Sequence, residues 1–115
     1  MRRDEAYLLD ILIATRKALR FVEGVDWPAF QQNEMLQYAV VRPLEIVGEA
    51  ARGVSKEMRE SHPEVPWEKL IGMRNRLVHE YFRVDVETVW RTIQDDLPQL
   101  VRCIEPLVPP EVVPS

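Results

Sequence analysis

The sequence predicts an all-α fold, an antiparallel bundle of about four to five helices, and three observations carry that expectation. Apolar residues recur at three-and-four spacing through the long segments, capping residues and glycines stand where those segments start and stop, and no alternating strand pattern occurs. A chain of 115 residues suits one core, since two would each be too small to be comfortable. With 46% hydrophobic and 30% charged residues it has enough apolar material to fold. The expected organisation is one helical domain over 1–107 and a proline-rich tail over 108–115.

From Glu5 to about Glu23, Leu8, Ile11, Leu12, Thr15, Ala18, Leu19 and Val22 fall on one helical face, and Gly24 ends the run. Leu9, Ile13 and Phe21 lie off that stripe, so this helix is expected to bury a second face, within the bundle or across a dimer. Asp26 and Asn33 are N-cap candidates around a short connecting turn that holds Pro28. The second long helix is expected from Glu34 to Arg52. It carries Leu36, Val40, Pro43, Val47, Ala50 and Ala51 on one side, and Tyr38, Arg42, Glu45 and Glu49 on the other. Gly53 closes it, and Pro43 predicts a kink but no end.

Ser55 reads as the cap of a short helix over Lys56-Glu57-Met58, and His62-Pro63-Glu64-Val65-Pro66 as an extended connection fixed by its prolines. A helix restarts at Trp67 and runs to about Phe82. Asp85 caps the next, whose Val86, Val89, Trp90, Ile93, Leu97, Leu100, Val101 and Ile104 keep the same spacing, with Pro98 as a second kink. From Pro106 onward the chain holds four of its nine prolines and is expected to be extended or loose.

Composition excludes several function classes. A formal charge of −4 argues against a protein that grips long nucleic acids through counterion release, so any RNA contact must be local. The single cysteine, Cys103, rules out an internal disulfide and a cysteine-rich zinc site. Glu45 and Glu49 are four apart, but neither His62 nor His79 is placed to join them, so no metal site is expected. There is no glycine-rich phosphate loop. The apolar runs are too short to span a bilayer, and Met1-Arg2-Arg3-Asp4-Glu5 leads into an amphipathic pattern with no small-residue cleavage site, so a reduced cytoplasmic setting is expected.

The helix from Trp67 carries the chemistry. At about 100° per residue, Trp67, Leu70, Ile71, Leu77, Val78, Tyr81 and Phe82 form one apolar arc with Arg74 in its middle. A guanidinium cannot shed its charge, so either a carboxylate meets it, with Glu45 and Glu49 as candidates, or the surface borders a cleft that takes an anion. Glu68, Gly72, Asn75 and His79 line the flank of the arc. The glycine leaves room for close approach or for tight helix packing. His79 is a natural general acid or base, and Asn75 can orient it or contact a phosphate. Arg76 and Arg83 are candidate phosphate-steering charges or plain solvated positions. Arg74 and His79 lie about 140° apart around the axis, so a second copy meeting this arc about a twofold would bring two such pairs into one cleft. Without a metal, RNA is cleaved when its own 2′-hydroxyl attacks the adjacent phosphorus, which needs a base and a cation. His79 and Arg74 supply those two parts.

At these residues the chain resembles the HEPN superfamily, and within it the HepT-like toxin branch, whose signature is Arg, four residues, His, one residue, Tyr. Arg74, His79 and Tyr81 match it. So do the ordered blocks Leu44 to Ala51, Val65-Pro66-Trp67, Gly72 to Asn75, Val89-Trp90 and Asp96-Leu97-Pro98, which extend the resemblance to about Leu107. It implies a homodimeric ribonuclease toxin with Arg74 and His79 catalytic and Asn75 beside them. It also implies a partner, an MntA-like minimal nucleotidyltransferase that moves AMP from ATP to Tyr81 and silences the toxin. The chain itself would need no cofactor, because the ATP is used by the partner. An added phosphate near Arg74 would occupy the charge meant for RNA. Two readings therefore stand: a toxin endoribonuclease acting on RNA, or a non-catalytic partner or substrate-binding subunit of a nucleotidyltransferase. The acidic net charge favours the second, and the arginine in an apolar arc near a histidine favours the first.

Overall fold

In the computed structural model, which describes residues 2–79 and 85–110, most of the described residues are helical and none is in a strand. Helix α1 (Arg2–Phe21) turns Leu8, Ile11, Leu12, Thr15 and Ala18 into the core, with Val22 buried just beyond its end and Leu19 partly buried, along the stripe that the spacing predicts. Gly24 then takes a φ of 75°, a left-handed conformation that favours glycine.

The segment expected as a turn around Pro28 is instead a short helix, α2 (Trp27–Gln31). Asp26 accepts a hydrogen bond from the Ala29 N–H at 3.0 Å, and Pro28 sits in the first turn, where its missing N–H is not needed. Five residues cannot hold a helix alone. Here Trp27 and Phe30 stack on Trp90, with centroids 6.2 and 4.9 Å from its ring, and that distant aromatic fixes α2 in place.

Helix α3 (Glu34–Gly53) starts where the Asn33 side chain accepts from the Leu36 N–H at 3.0 Å, and it continues through the buried Pro43. It lies antiparallel on α1. Tyr7, near the start of α1, meets Gly53 at the end of α3, while Phe21 at the end of α1 shares a groove with Ala39. Gly53 is the last residue of α3, where the sequence places the end of the helix. A Cβ there would stand 2.4 Å from the Tyr7 ring, so close packing, not a left-handed φ, calls for glycine.

Ser55 links two elements. Its hydroxyl accepts from the Met58 N–H at 3.1 Å, capping helix α4 (Lys56–Ser61), and donates to Asp4 Oδ2 at 2.7 Å. The Ser55 N–H donates to Asp4 Oδ1 at 2.8 Å. These bonds, the backbone one foremost, hold the buried Asp4 carboxyl below its ordinary value of 3.8 although burial pushes it up. The connection expected to be extended is a turn. The Val65 N–H donates to the His62 carbonyl at 3.2 Å, and the buried Trp67 indole donates to that same oxygen at 2.9 Å. A buried indole needs an acceptor, and folding the chain back supplies one.

Helix α5 (Trp67–His79) follows; later in the chain α6 (Val86–Arg91), a π-helical turn (Thr92–Asp96) and α7 (Leu97–Ile104) join end to end without a break. The irregularity expected at Pro98 thus falls in the turn just before it, which widens because proline has no N–H to bond back. Helix α7 runs antiparallel to α1, and Arg16 pairs with Glu105. Beyond it the chain is less loose than expected: Glu105–Leu107 form a 3-10 turn and Val108 is buried.

Candidate functional site

Helix α5 buries Trp67, Leu70 and Leu77 and leaves Asn75, Arg76 and His79 exposed. Helix α3 crosses it at very short range. A Cβ on Gly48 would lie 2.1 Å from Arg74 Cβ and 2.7 Å from the Leu70 carbonyl oxygen, so only glycine lets the two backbones approach this closely. The apolar arc expected to meet a second copy is therefore covered by α3 of the same chain. Val78, 38% exposed, is the described part of the arc that stays open. The assignments to Tyr81 and Arg83 lie outside the described residues.

Close approach of α3 shapes the surroundings of Arg74. Its side chain is 22% exposed, and its Nη1 donates to the Asn75 side-chain oxygen at 3.1 Å. Its Nε is buried, has no hydrogen-bond partner among the described residues, and stands 3.9 Å from Glu49 Oε1, close enough for charge attraction but too far for a hydrogen bond. A permanently charged donor with an unmet N–H favours an anionic oxygen that comes nearer.

Of the two carboxylates considered for Arg74, Glu49 is the neighbour. Glu45 is not: one turn earlier on α3, it pairs with Arg42 at 3.7 Å instead. Arg42 also reaches Glu49 at 3.4 Å, so Arg42 joins the site as a residue that sequence reasoning left on a polar helix face. Its spacing of three and seven residues from Glu45 and Glu49 was the signal that could have found it.

Asn75 turns its amide oxygen to Arg74, which leaves its N–H groups for a substrate or for His79. His79 is the last described residue of α5, exposed, with no hydrogen bond among the described residues.

On another side of α5, Arg76 lines a groove of about 620 Å³ with Lys69, Gly72 and Met73. The opposite wall comes from α6 and the π-helical turn through Thr88, Arg91, Thr92, Asp95 and Asp96. Lys69 bridges to Asp96 at 2.8 Å, and Arg91 pairs with Glu87. Gly72 differs from Gly48 here. A Cβ on Gly72 would meet nothing within 4 Å among the described residues, so the glycine forgoes roughly 1 kcal/mol of helix stability relative to alanine with no described neighbour to explain it.

A separate apolar groove of about 360 Å³ between α1 and α3 is lined by Ile13, Phe21, Ala39, Pro43 and Ile46 and bordered by Arg42. Ile13 and Phe21, read as a second apolar face, are thus exposed along it. Among the described residues no group of three or more His, Cys, Asp or Glu could hold a metal ion, and no helix is long and apolar enough to cross a membrane.

Comparison with known proteins agrees with the resemblance in the motif helix. A protein-family model described as Ribonuclease HepT-like matches residues 11–107. The chain is 39% identical over 105 residues to "Putative RNase MJ1380" of Methanocaldococcus jannaschii, a match that covers 90% of this chain and 96% of that one. It is 37% identical over 99 residues to "Probable ribonuclease HepT" of Thermococcus cleftensis, covering 86% of this chain and 90% of the relative. No solved structure matches. Since the family match runs from within α1 to the end of the last helical turn and takes in the whole of α5, this chain belongs to the HepT-like ribonuclease family.

Proposed function

We propose that the protein is an endoribonuclease that needs no metal and cleaves RNA through attack of the substrate's 2′-hydroxyl on the adjacent phosphorus. The observation that carries this reading is Arg74, whose buried Nε has no hydrogen-bond partner among the described residues and which faces Glu49 without bonding it. In the reaction His79 takes the 2′-hydroxyl proton or returns one to the leaving 5′-oxygen, and Arg74 stabilises the charge that grows on the phosphorane oxygens. Asn75 holds Arg74 and presents its amide to the phosphate. Family membership and the names of the relatives support the substrate class.

In this reading two copies form the working unit, and each contributes one Arg74 and one His79 to a shared cleft. Exposed Val78 beside Arg74 and the open groove at Ile13 and Phe21 offer apolar surface for that contact. The protein acts in the cytoplasm as the toxin of a toxin-antitoxin pair. Its antitoxin is an MntA-like nucleotidyltransferase that transfers AMP from ATP to Tyr81, two residues beyond His79, and so sets a phosphate against the cleft.

The test is to incubate the purified protein with cellular RNA in the presence of a chelator and compare wild type with His79→Ala. Cleavage by the wild type that is lost in the variant is expected. If the wild type leaves every RNA class intact, the nuclease reading fails. The net charge of −4 then favours the other reading, a substrate-binding subunit of the nucleotidyltransferase, which predicts ATP-dependent AMP transfer to Tyr81 without any nuclease activity.

A further inference from the structure

We propose that the groove between α5 and α6 holds one nucleotide of the RNA strand, adjacent to the bond that is cut, with Gly72 as its floor. The proposal rests on the ribonuclease reading above and adds to it a binding subsite on the far side of His79 from Arg74.

The first observation is a glycine that no described neighbour calls for. Gly48 is required by the Arg74 side chain and Gly53 by the Tyr7 ring, whereas a Cβ on Gly72 would enter open space, and its φ is not positive. A helix-interior glycine with no packing or backbone reason marks a surface that something outside the chain approaches closely. The second observation is position. Gly72 and His79 are seven residues apart, so they lie about 20° apart around α5, on one strip with Asn75 between them and Arg76 on its groove side. A strand bound at His79 that follows this strip runs directly over Gly72 into the groove. The third is size and chemistry: about 620 Å³ lies within the range of clefts that bury small ligands.

The groove has a direction. Its Arg76 end lies toward His79, and its Lys69 end lies at the π-helical turn, where the lysine bridges to Asp96. A phosphate next to the scissile one meets the guanidinium of Arg76 first, with the exposed Arg91 across from it. The base then lies over Gly72 and the Met73 thioether, and its N–H edge points to the Asp95 carboxylate, which repels a phosphate and accepts from a base. Charged and hydroxyl groups line this groove from both walls. The core of a contact between two copies is depleted of charge, so a single-stranded nucleotide fits these walls better than a second helix does.

The experiment measures binding apart from cleavage. In a His79→Ala background, a fluorescein-labelled 12-nucleotide single-stranded RNA of mixed sequence is titrated by anisotropy at one fixed salt concentration. Gly72→Phe fills the floor and is expected to raise Kd by about tenfold, the scale of one lost base contact. Arg91→Gln is expected to raise it about threefold, and Arg20→Gln, an exposed charge on α1, to leave it unchanged. Should Gly72→Phe fail to fold, Gly72→Ala together with Arg91→Gln gives the same reading on a smaller scale. A Gly72→Phe protein that is folded and binds as tightly as its parent overturns the groove, and so does a parent that binds no RNA. Loss of binding accompanied by a change from dimer to monomer also overturns it, because the glycine would then serve contact between copies. The two readings separate cleanly. A wild type that cleaves RNA and is indifferent to Gly72→Phe sinks the groove alone. A wild type that never cleaves, yet binds RNA in a Gly72-dependent way, sinks the nuclease reading alone.

Discussion

The Glu49 carboxylate stands 3.9 Å from Arg74 Nε and 3.4 Å from Arg42 Nη1, so a single acid on α3 serves two cations. In the absence of RNA that carboxylate occupies the neighbourhood a substrate phosphate would need. Because it falls short of a hydrogen bond to Nε, it attracts the guanidinium without satisfying it.

Replacing Glu49 by Gln should therefore ease substrate entry. The expected result is a KM for RNA lowered about threefold with a smaller change in kcat, as befits the loss of a surface competitor. Stability should change by less than about 1 kcal/mol, since the Glu49 side chain is 41% exposed. Steady-state cleavage kinetics decide the matter: a raised KM would mean that Glu49 positions Arg74 and does not compete for it.

Arg74→Lys keeps the charge but loses the fork that reaches Asn75 and an anion at once. We expect kcat to fall by roughly 10²–10³, the scale of one lost donor at a developing oxyanion. A thermal melt near that of wild type would show that the loss is chemical, and a lysine variant with near-normal turnover would remove Arg74 from the reaction.

Two alanine substitutions on facing helices should act in opposite directions. Gly48→Ala drives a methyl against Arg74 Cβ and the Leu70 carbonyl, neither of which can swing aside, so a loss of about 1–3 kcal/mol is expected. Gly72→Ala meets open space and should gain roughly 1 kcal/mol from helix propensity. Denaturant midpoints for the two variants test this, and equal signs would contradict the packing described here.

The Asp4 to Ser55 contact makes a prediction about pH. The folded Asp4 carboxyl titrates below its ordinary 3.8, held there by the Ser55 N–H and hydroxyl, so its stabilisation is full above that value and is lost as pH falls through the lower folded value. Asp4→Asn should accordingly be less stable than wild type near neutrality, and the gap should close in acid. Ser55→Ala removes the α4 cap as well and should lose about 1 kcal/mol or more. Urea melts at neutral and acid pH would reveal a gap independent of pH if this reading of Asp4 were wrong.

Helix existence was legible in the residues because it is a local property. Spacing in α1, the caps at Asp26, Asn33, Ser55 and Asp85, and Gly24 with its left-handed φ each depend on neighbours within a turn or two, and each appears where the spacing or the cap predicts it. The motif helix, too, could be divided in advance into an arc holding Arg74 and a flank holding Asn75 and His79. Features that depend on another helix were hidden: the short α2, held by Trp90; the choice of Glu49 over Glu45 for Arg74; and the entry of Arg42. The sequence marked Gly53 as a helix end and Gly72 as a point of close approach, but it did not say what packs on either or on Gly48. Only the approach of Tyr7 to Gly53 and of Arg74 to Gly48, and the open space over Gly72, separate them, because which surfaces touch is set by how helices distant in sequence cross, and periodicity within one helix carries no record of that crossing.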